Sequence, residues 1–383
     1  MTIEPATGAQ RAFSFLAETT AGTAATTGAA TTLRSKSGVK FDLKRNTFTS
    51  NERRADRQKS ALVYGAKSGS FSIPVEWSDD SFDALLEACL GGTWGGTNVL
   101  KIGNTVRTFT FNDILTELTL VEQNLGCQVT GFTVEQKKDA VAEGTIEGIF
   151  RDVHGPQTTG VTLAYDSTAK TITRTVGSFL TDGWVNGDSV RGIGNTDAGN
   201  NNTTPWVLTT LSATVMTFTT AAGIVTKAAT AGITLNNAAP AACTLTDAAT
   251  TTPFNEFSGS ITEGGNVIAH VAGWNLKFSQ ASTLHNALGS TVAQGSAMGG
   301  IDVTGSLNVY CINQTLRSKF LNGTSTTLSL VLSDGANTRT FDLGTVKYTS
   351  NNRDDGEMAI MENMDFTATY TATDTALKIT RSA

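Results

Sequence analysis

Few residues in this chain are of types that do chemistry, and their spacing argues against most of the chemistry they would do. The histidines are three, His154, His270 and His285. A zinc or iron site needs imidazole, thiolate or carboxylate ligands converging at short spacing, and none of the three has such a neighbour. They read as ordinary surface or core histidines. Cys89, Cys127, Cys243 and Cys311 lie far apart and form no CxxC pair; they read as small buried hydrophobes, not as zinc ligands or a disulfide frame. "GIGNTDAG" (192–199) breaks the GxGxxG spacing and opens no helix, which makes it a turn. "NNRDDGEMAIME" (351–362) gathers Asp354, Asp355, Glu357 and Glu362. A calcium loop needs EF-hand spacing, which is missing, so this reads as a solvated acidic hairpin. No Ser/His/Asp or Cys/His set stands out. The sequence therefore offers no catalytic residue, no metal site and no need of a cofactor.

One charged stretch does stand out. "SNERRADRQKSALVYG" (50–65) packs Arg53, Arg54, Arg57 and Lys59 around Glu52 and Asp56, in a chain of formal net charge -6. Between Arg34 and Lys59 the basic residues are 34, 36, 40, 44, 45, 53, 54, 57 and 59, against acidic residues 42, 52 and 56. The rest of the chain is accordingly acidic. Three readings compete for the basic segment. A nucleic-acid contact would give strong salt dependence, but no aromatic interleaves the arginines and no broad basic face is present. A solvated loop is the plain reading. A loop docking on an acidic surface of a neighbouring subunit suits the mixed signs, since charge then sets register and orientation.

The elements that position these residues are mostly strands. With 383 residues, Gly 38, Pro 6, 39% hydrophobic and 16% charged residues, the chain has the turn-rich, Thr/Val-alternating character of β proteins. No apolar run approaches the roughly 20 residues needed to span a bilayer. The start lacks a basic segment followed by a long apolar core, so no secretory signal is expected and synthesis in the cytoplasm is. Residues 17–32, rich in Ala, Thr and Gly, read as a loose arm. Strands are expected at 39–48, 69–77, 107–111, 117–125, 127–136 and 143–151, with Pro74 marking an edge or bulge. "SDDSFDALLEACLGG" is the clearest helix. Phe82, Leu85, Leu86, Cys89 and Leu90 form its apolar face, Asp79, Asp80 and Ser81 its caps, and Gly91 and Gly92 its stop.

Composition changes near Gly155. From Pro156 to Thr252 the charged residues are only 166, 170, 174, 182, 188, 191, 197, 227 and 247. Short alternating runs between Gly, Asn and Asp turns predict a small all-β sandwich or barrel, and "AATAGITLNNAAPAACTLTDAATTTP" its exit linker. After Phe257 the first pattern returns. "GSLNVYCI" (305–312) matches "GSFSIPVEW" (69–77). "NQTLRSKFLNGT" is a second short helix with Asn313 as cap, Leu316, Phe320 and Leu321 as apolar face and Gly323 as stop. "RTFDL" (339–343) echoes "RTFTF" (107–111), and "MDFTATY" (364–370) parallels "GTIEGIF" (144–150). Matched elements in one order predict a tandem duplication with a domain inserted at the joint.

At these residues the chain resembles the tail tube proteins of long-tailed bacteriophages, in the form with two tube-type repeats. The resemblance rests on "FDLKRNTFTSNERRADRQKSALVYGAKSGSFSIPVEWSDDSFDALLEACLGGTW" (41–94) and on the ending from "VTGSLNVYCINQTLRSKFLNGT" to "ALKITRS". It covers roughly 30–152 and 257–383. It implies a mainly β fold of two tandem tube-type sandwich or barrel units, each with one short α-helix, plus an inserted small all-β domain. The expected boundaries are a flexible arm at 1–32, repeats at 33–152 and 253–383, and the insert at 156–252, whose role the resemblance leaves open. It implies a structural virion protein, not an enzyme, made in the host cytoplasm and built into the tail. Its partners would be itself, as stacked rings, and the tape measure, tail terminator and tip proteins. DNA would cross the lumen without specific binding and no membrane would be involved. With six tube units per ring in the family, two per chain imply a trimeric ring of pseudo-sixfold symmetry. The long loop between the first two strands of each repeat, 49–68 and 279–300 here, would reach the adjacent ring. Arg53, Arg54, Asp56, Arg57 and Lys59 would then make inter-ring contacts, with Asp354, Asp355, Glu357 and Glu362 as an acidic partner surface. The competing class is a non-tail interaction protein such as a capsid decoration or surface β protein.

Overall fold

Strands dominate the computed structural model, which describes residues 8–382 except 26, 97, 240, 241, 247–250, 356–358, 372 and 373. The first stretch holds β1 (Arg11–Ala17), β2 (Thr27–Thr32), β3 (Lys40–Thr49), β4 (Leu62–Glu76), helix α1 (Asp83–Leu90), β5 (Val99–Lys101), β6 (Phe109–Leu115), β7 (Leu120–Lys137), β8 (Glu143–Phe150) and β9 (Asp152–His154). Next come β10 (Gln157–Asp166), β11 (Thr171–Arg174), β12 (Ser189–Ile193), β13 (Trp206–Leu211), β14 (Val215–Phe218) and β15 (Lys227–Asn237). The last stretch holds β16 (Ala242–Thr246), β17 (Asn255–Glu263), β18 (Asn266–Val267), β19 (Val271–His285), β20 (Gly295–Tyr310), helix α2 (Thr315–Leu321), β21 (Thr326–Ser333), β22 (Thr338–Tyr348), β23 (Asn352–Asp355), β24 (Ile360–Thr369) and β25 (Lys378–Arg381). The protein is mainly β, as its composition predicts.

The chain forms two compact units, one from the described residues of 8–33, 109–127 and 151–246 and the other from those of 34–108, 128–150 and 251–382. In the first, β1 pairs with β6 from Arg11↔Leu115 to Ala17↔Phe109, and β6 pairs with β7. Phe13, Phe15, Leu16, Phe109 and Phe111 are buried, with the Phe15 and Phe109 rings edge to face at 5.6 Å. The stretch read as a loose arm is therefore partly sheet. β1 carries part of this core, and β2 pairs with β1 and runs parallel to β16 from Ala242↔Thr27 to Thr246↔Thr31. Low-complexity Ala/Thr sequence hides strands, because small side chains leave no periodic signal while the backbone still pairs. The expected exit linker is corrected for the same reason: it contains barrel strand β15 and β16.

Strands β10-β11-β14-β13-β12-β15 close into a barrel. Its core holds Leu163, Tyr165, Ile172, Phe179, Trp184, Val190, Trp206, Leu208, Met216, Phe218, Ile233 and Leu235. The buried indoles are satisfied: Trp184 Nε1 donates to Thr158 Oγ1 at 2.9 Å and Trp206 Nε1 to Ala222 O at 3.2 Å. Register shifts between β10 and β15 supply the bulges that curvature needs. Asn237 N donates to Pro156 O at 3.1 Å, so the barrel's two ends lie side by side.

In the second unit the long strands pair in the order β3-β4-β8-β7-β19-β20-β24-β23. β7 is one strand where two were expected. Gly126, at φ +64, absorbs a bulge opposite β6 without ending the strand. Pro74 lies beyond the last β3 partner, Lys40↔Ser72, where its missing N–H costs no ladder bond. Trp77, Phe132, Phe278 and Phe341 form the core, with Phe132 and Phe278 stacked at 5.6 Å.

The two long hairpins repeat one another closely. β3 pairs Leu43 with Gly69, and Gly69 faces Phe150 of β8. β19 pairs Leu276 with Gly305, and Gly305 faces Phe366 of β24. A Cβ at Gly69 would fall 2.4 Å from the Phe150 ring, and one at Gly305 2.5 Å from the Phe366 ring. Both glycines therefore exist to let an aromatic lie across the strand. The residues around the paired leucines match as well, Phe41-Asp42-Leu43-Lys44 against Trp274-Asn275-Leu276-Lys277. The strands behind them have matching partners: β7 takes β6, β9 and β8, while β22 takes β21, β25 and β24. The "RTFTF"/"RTFDL" echo is thus misaligned, since the first lies in β6 and the second in β22, whose partners are those of β7.

Helix α1 buries Leu85, Leu86, Cys89 and Leu90, and Phe82 beside it, as the spacing predicts. Gly91, at φ +65, ends it. Its start differs: Phe82 is the N-cap residue and no side chain caps it. Asp79 and Asp83 instead bind Arg339, 1% exposed, at 3.0 and 2.5 Å. Arg381 also pairs with Asp83, and both guanidinium groups lie over Trp94. A buried guanidinium needs those carboxylates more than the helix end does. In α2, Asn313 Oδ1 accepts from Thr315 N at 2.9 Å and Gly323 ends the helix at φ +62. None of its residues is fully buried: of the expected apolar face, Leu316 and Phe320 are half-buried and Leu321 is exposed.

Candidate assembly surfaces

The basic segment sits at the tip of the β3–β4 hairpin. The strands run further than expected, so the connecting loop is 50–61, not 49–68. Arg53, Arg54, Asp56, Arg57 and Lys59 are all exposed. Arg54 Nε donates to Asp56 Oδ1 at 3.2 Å, and that contact, with the Gln58 N–H, holds the Asp56 carboxyl below its usual range. Arg53, Arg57 and Lys59 have no ion partner among the described residues. Arg57 adopts a left-handed φ of 58°, which directs the turn at the tip. Such a loop presents unspent positive charge.

The hairpin below the tip carries what charge counting misses. Leu43, Phe48, Leu62, Val63 and Tyr64 are exposed, Phe48 at 63% and Tyr64 at 59%. The register sets Phe48 with Val63 on one face and Leu62 with Tyr64 on the other, so the arm exposes apolar side chains on both faces, as a contact site does. The sequence signal is the apolar run "ALVYG" directly flanking a charged loop. Arg45 lies over the Tyr64 ring at 4.8 Å, so cation and aromatic are already ordered together.

In the second hairpin, the expected loop 279–300 is also mostly strand, leaving 286–294 as the connection. It bends onto the first arm: Lys67 N donates to Thr291 O at 2.9 Å. Ala/Gly/Ser-rich sequence reads as loop because it lacks apolar alternation.

The expected acidic surface is not one surface. Asp354 and Asp355 lie on β23, with the Asp354 side chain exposed. Glu362 is 1% exposed on β24 and is held by Arg353 at 2.5 Å, so it is committed within the chain. Glu357 lies outside the described residues. Among the described residues the loop arginines are not brought to Asp354 or Glu362.

His154 and the buried cysteines are occupied structurally. His154 Nε2 lies 2.7 Å from Asp188 Oδ1. Burial raises the Cys89 and Cys127 thiols far above their ordinary range, which leaves them inert. Among the described residues no three His, Cys, Asp or Glu side chains converge as a metal site, and no helix is long and apolar enough to cross a membrane. The arrangement is suited to binding protein surfaces through strand edges and arms.

No curated protein matches the chain. A family model described as phage tail tube protein matches residues 8–368. With nearly its whole length matched, and with extended hairpins on a mainly β framework, this chain belongs to the phage tail tube protein family.

Proposed function

We propose that this chain polymerises as stacked rings into the hollow tail tube through which the genome passes into the host. Two tube-type repeats, each a long hairpin followed by a short helix and a strand crossing behind it, make up the wall, and the β10–β15 barrel is an insert on the tube exterior. The first repeat takes in β1, since β1 lies beside β6 as β17 lies beside β21. Beyond family membership, one observation carries the reading: the strand series β3-β4-β8-β7 recurs as β19-β20-β24-β23, in one sheet with both ends unpaired among the described residues. A sheet of repeated units with free ends builds a closed barrel by adding copies.

Three chains per ring then give a pseudo-sixfold wall. The β3–β4 and β19–β20 arms reach the neighbouring ring, the arginine tip engaging carboxylates there. An acidic chain suits a channel for DNA, because basic residues on the lumen would hold phosphates. The tube is capped and measured by the tape measure, terminator and tip proteins, in a virion tail assembled in the host cytoplasm. The role is structural, without catalysis. Electron microscopy of the purified protein tests this: long hollow tubes are expected, and discrete monomers at all concentrations would refute it.

A further inference from the structure

The internal junction between the two strand series predicts the junction between chains. Within this chain, the last strand of the first series, β7, pairs with the first strand of the second, β19, antiparallel, from Gly273↔Lys137 to Ser279↔Gly131. β7 is matched in the second series by two strands, its earlier part by β22 and its later part, the part that pairs with β19, by β23; among the described residues β23 pairs only with β24. The equivalent first strand is β3, which among the described residues pairs only with β4. We propose that the open edge of β3 in one chain adds to the open edge of β23 in a second copy, in the register that β19 keeps with β7. This rests on the tube reading above and deepens it, by naming the two edges and their register.

The register follows from the matched Gly–Phe pairs. Gly69 and Gly305 are equivalent, so Leu43 corresponds to Leu276 and Lys44 to Lys277. Phe150 and Phe366 are equivalent. Glu147, three residues before Phe150, pairs with Gly131, and Asn363, three before Phe366, pairs with Asn352. Gly131 therefore corresponds to Asn352, and Thr133 to Asp354. Inside the chain Thr133 lies opposite Lys277. Between chains the same register sets Asp354 opposite Lys44.

Charge supports that register. Lys44 and Asp354 are both exposed, and neither has an ion partner among the described residues. Directly opposed unlike charges favour a strand pair, and a slip by one residue would put them on opposite faces. The arginines brought face to face, Arg45 and Arg353, are already engaged: Arg45 with the Tyr64 ring and Arg353 with buried Glu362. β3 is also a long exposed edge bearing Leu43 and Phe48, the kind of edge that proteins leave open only for a partner. Because the two edges differ, the contact is head to tail and closes into a ring when the rotation allows.

Cysteine cross-linking tests the register. Opposed antiparallel residues have Cα atoms roughly 4.5–5.5 Å apart, within disulfide reach. A chain carrying Lys44→Cys and Asp354→Cys, oxidised after assembly, is expected to give a ladder of covalent oligomers on a non-reducing gel. Neither single variant should, and Asn46→Cys with Asp354→Cys should link at least tenfold less. As a second measure, Lys44→Asp or Asp354→Lys alone should abolish tubes, and the two together should restore them. Tubes of the Lys44→Cys/Asp354→Cys chain that form without the disulfide between those two positions, or tubes that link mainly through the shifted pair, overturn the edge assignment and leave the tube reading standing. If the wild-type chain forms no tubes, both fall together.

Discussion

Arg53, Arg54 and Arg57 stand on a tip where, among the described residues, only Arg54 has a carboxylate, its close sequence neighbour Asp56. Exposed pairs of that kind contribute little to folding, so the tip's charge is available to another molecule. Replacing all three arginines with Ala is expected to abolish stacking in electron micrographs while changing fold stability by no more than about 0.5 kcal/mol in urea melts. Persistent tubes from the triple variant would remove the tip from the interface. Arg339 is the opposite case. It is buried against Asp79 and Asp83, almost wholly shielded from solvent. Changing both aspartates to Ala strands a buried cation and is expected to cost about 3 kcal/mol of unfolding free energy. Nothing in the sequence joined Arg339 to "SDD", because the partners are separated by 260 positions. The exposed arginines were legible from clustering alone; the buried one required the fold.

Elements with strong periodicity were the legible ones. The α1 face, the β3 and β8 strands and the β10–β15 barrel follow from alternation, apolar spacing and turn residues. What stayed hidden was sheet made from bland sequence: β2, β16 and the distal halves of β19 and β20, whose Ala, Gly, Ser and Thr pair through the backbone without an apolar signature. The loop limits failed for the same reason, as both hairpins run farther than their side chains advertise. The proposal that the barrel is an insert is tested by removing it. Joining Asp152 to Thr252 would delete β16 and strip β2 of a partner. The cleaner cut joins Gly155 to Pro240 through two glycines, because Pro156 and Asn237 are already hydrogen-bonded neighbours. That shortened chain is expected to form tubes of smaller outer diameter by electron microscopy. A folded chain that no longer assembles would make the barrel part of the wall.

For the whole molecule, the proposed symmetry follows from the repeated strand series. On the proposed reading, two unlike repeats per chain, one with an arginine tip and one with the 286–294 connection folded back, would make alternate positions around a ring unequal. A side-chain-resolution reconstruction is expected to show true threefold symmetry, with three barrels per ring. Six whole chains in sixfold register would refute the duplication. The proposed joining of β3 and β23 between chains carries a genetic consequence. A chain altered at Asp354 alone keeps a working β3, so it joins a growing arc and ends it. Such an allele is dominant: with equal amounts of altered and normal chains, about one three-membered ring in eight contains normal chains only. An allele that unfolds the chain merely dilutes the pool. Co-expression with the normal chain therefore separates the two kinds of defect, since only the edge variant suppresses tubes well beyond its own share.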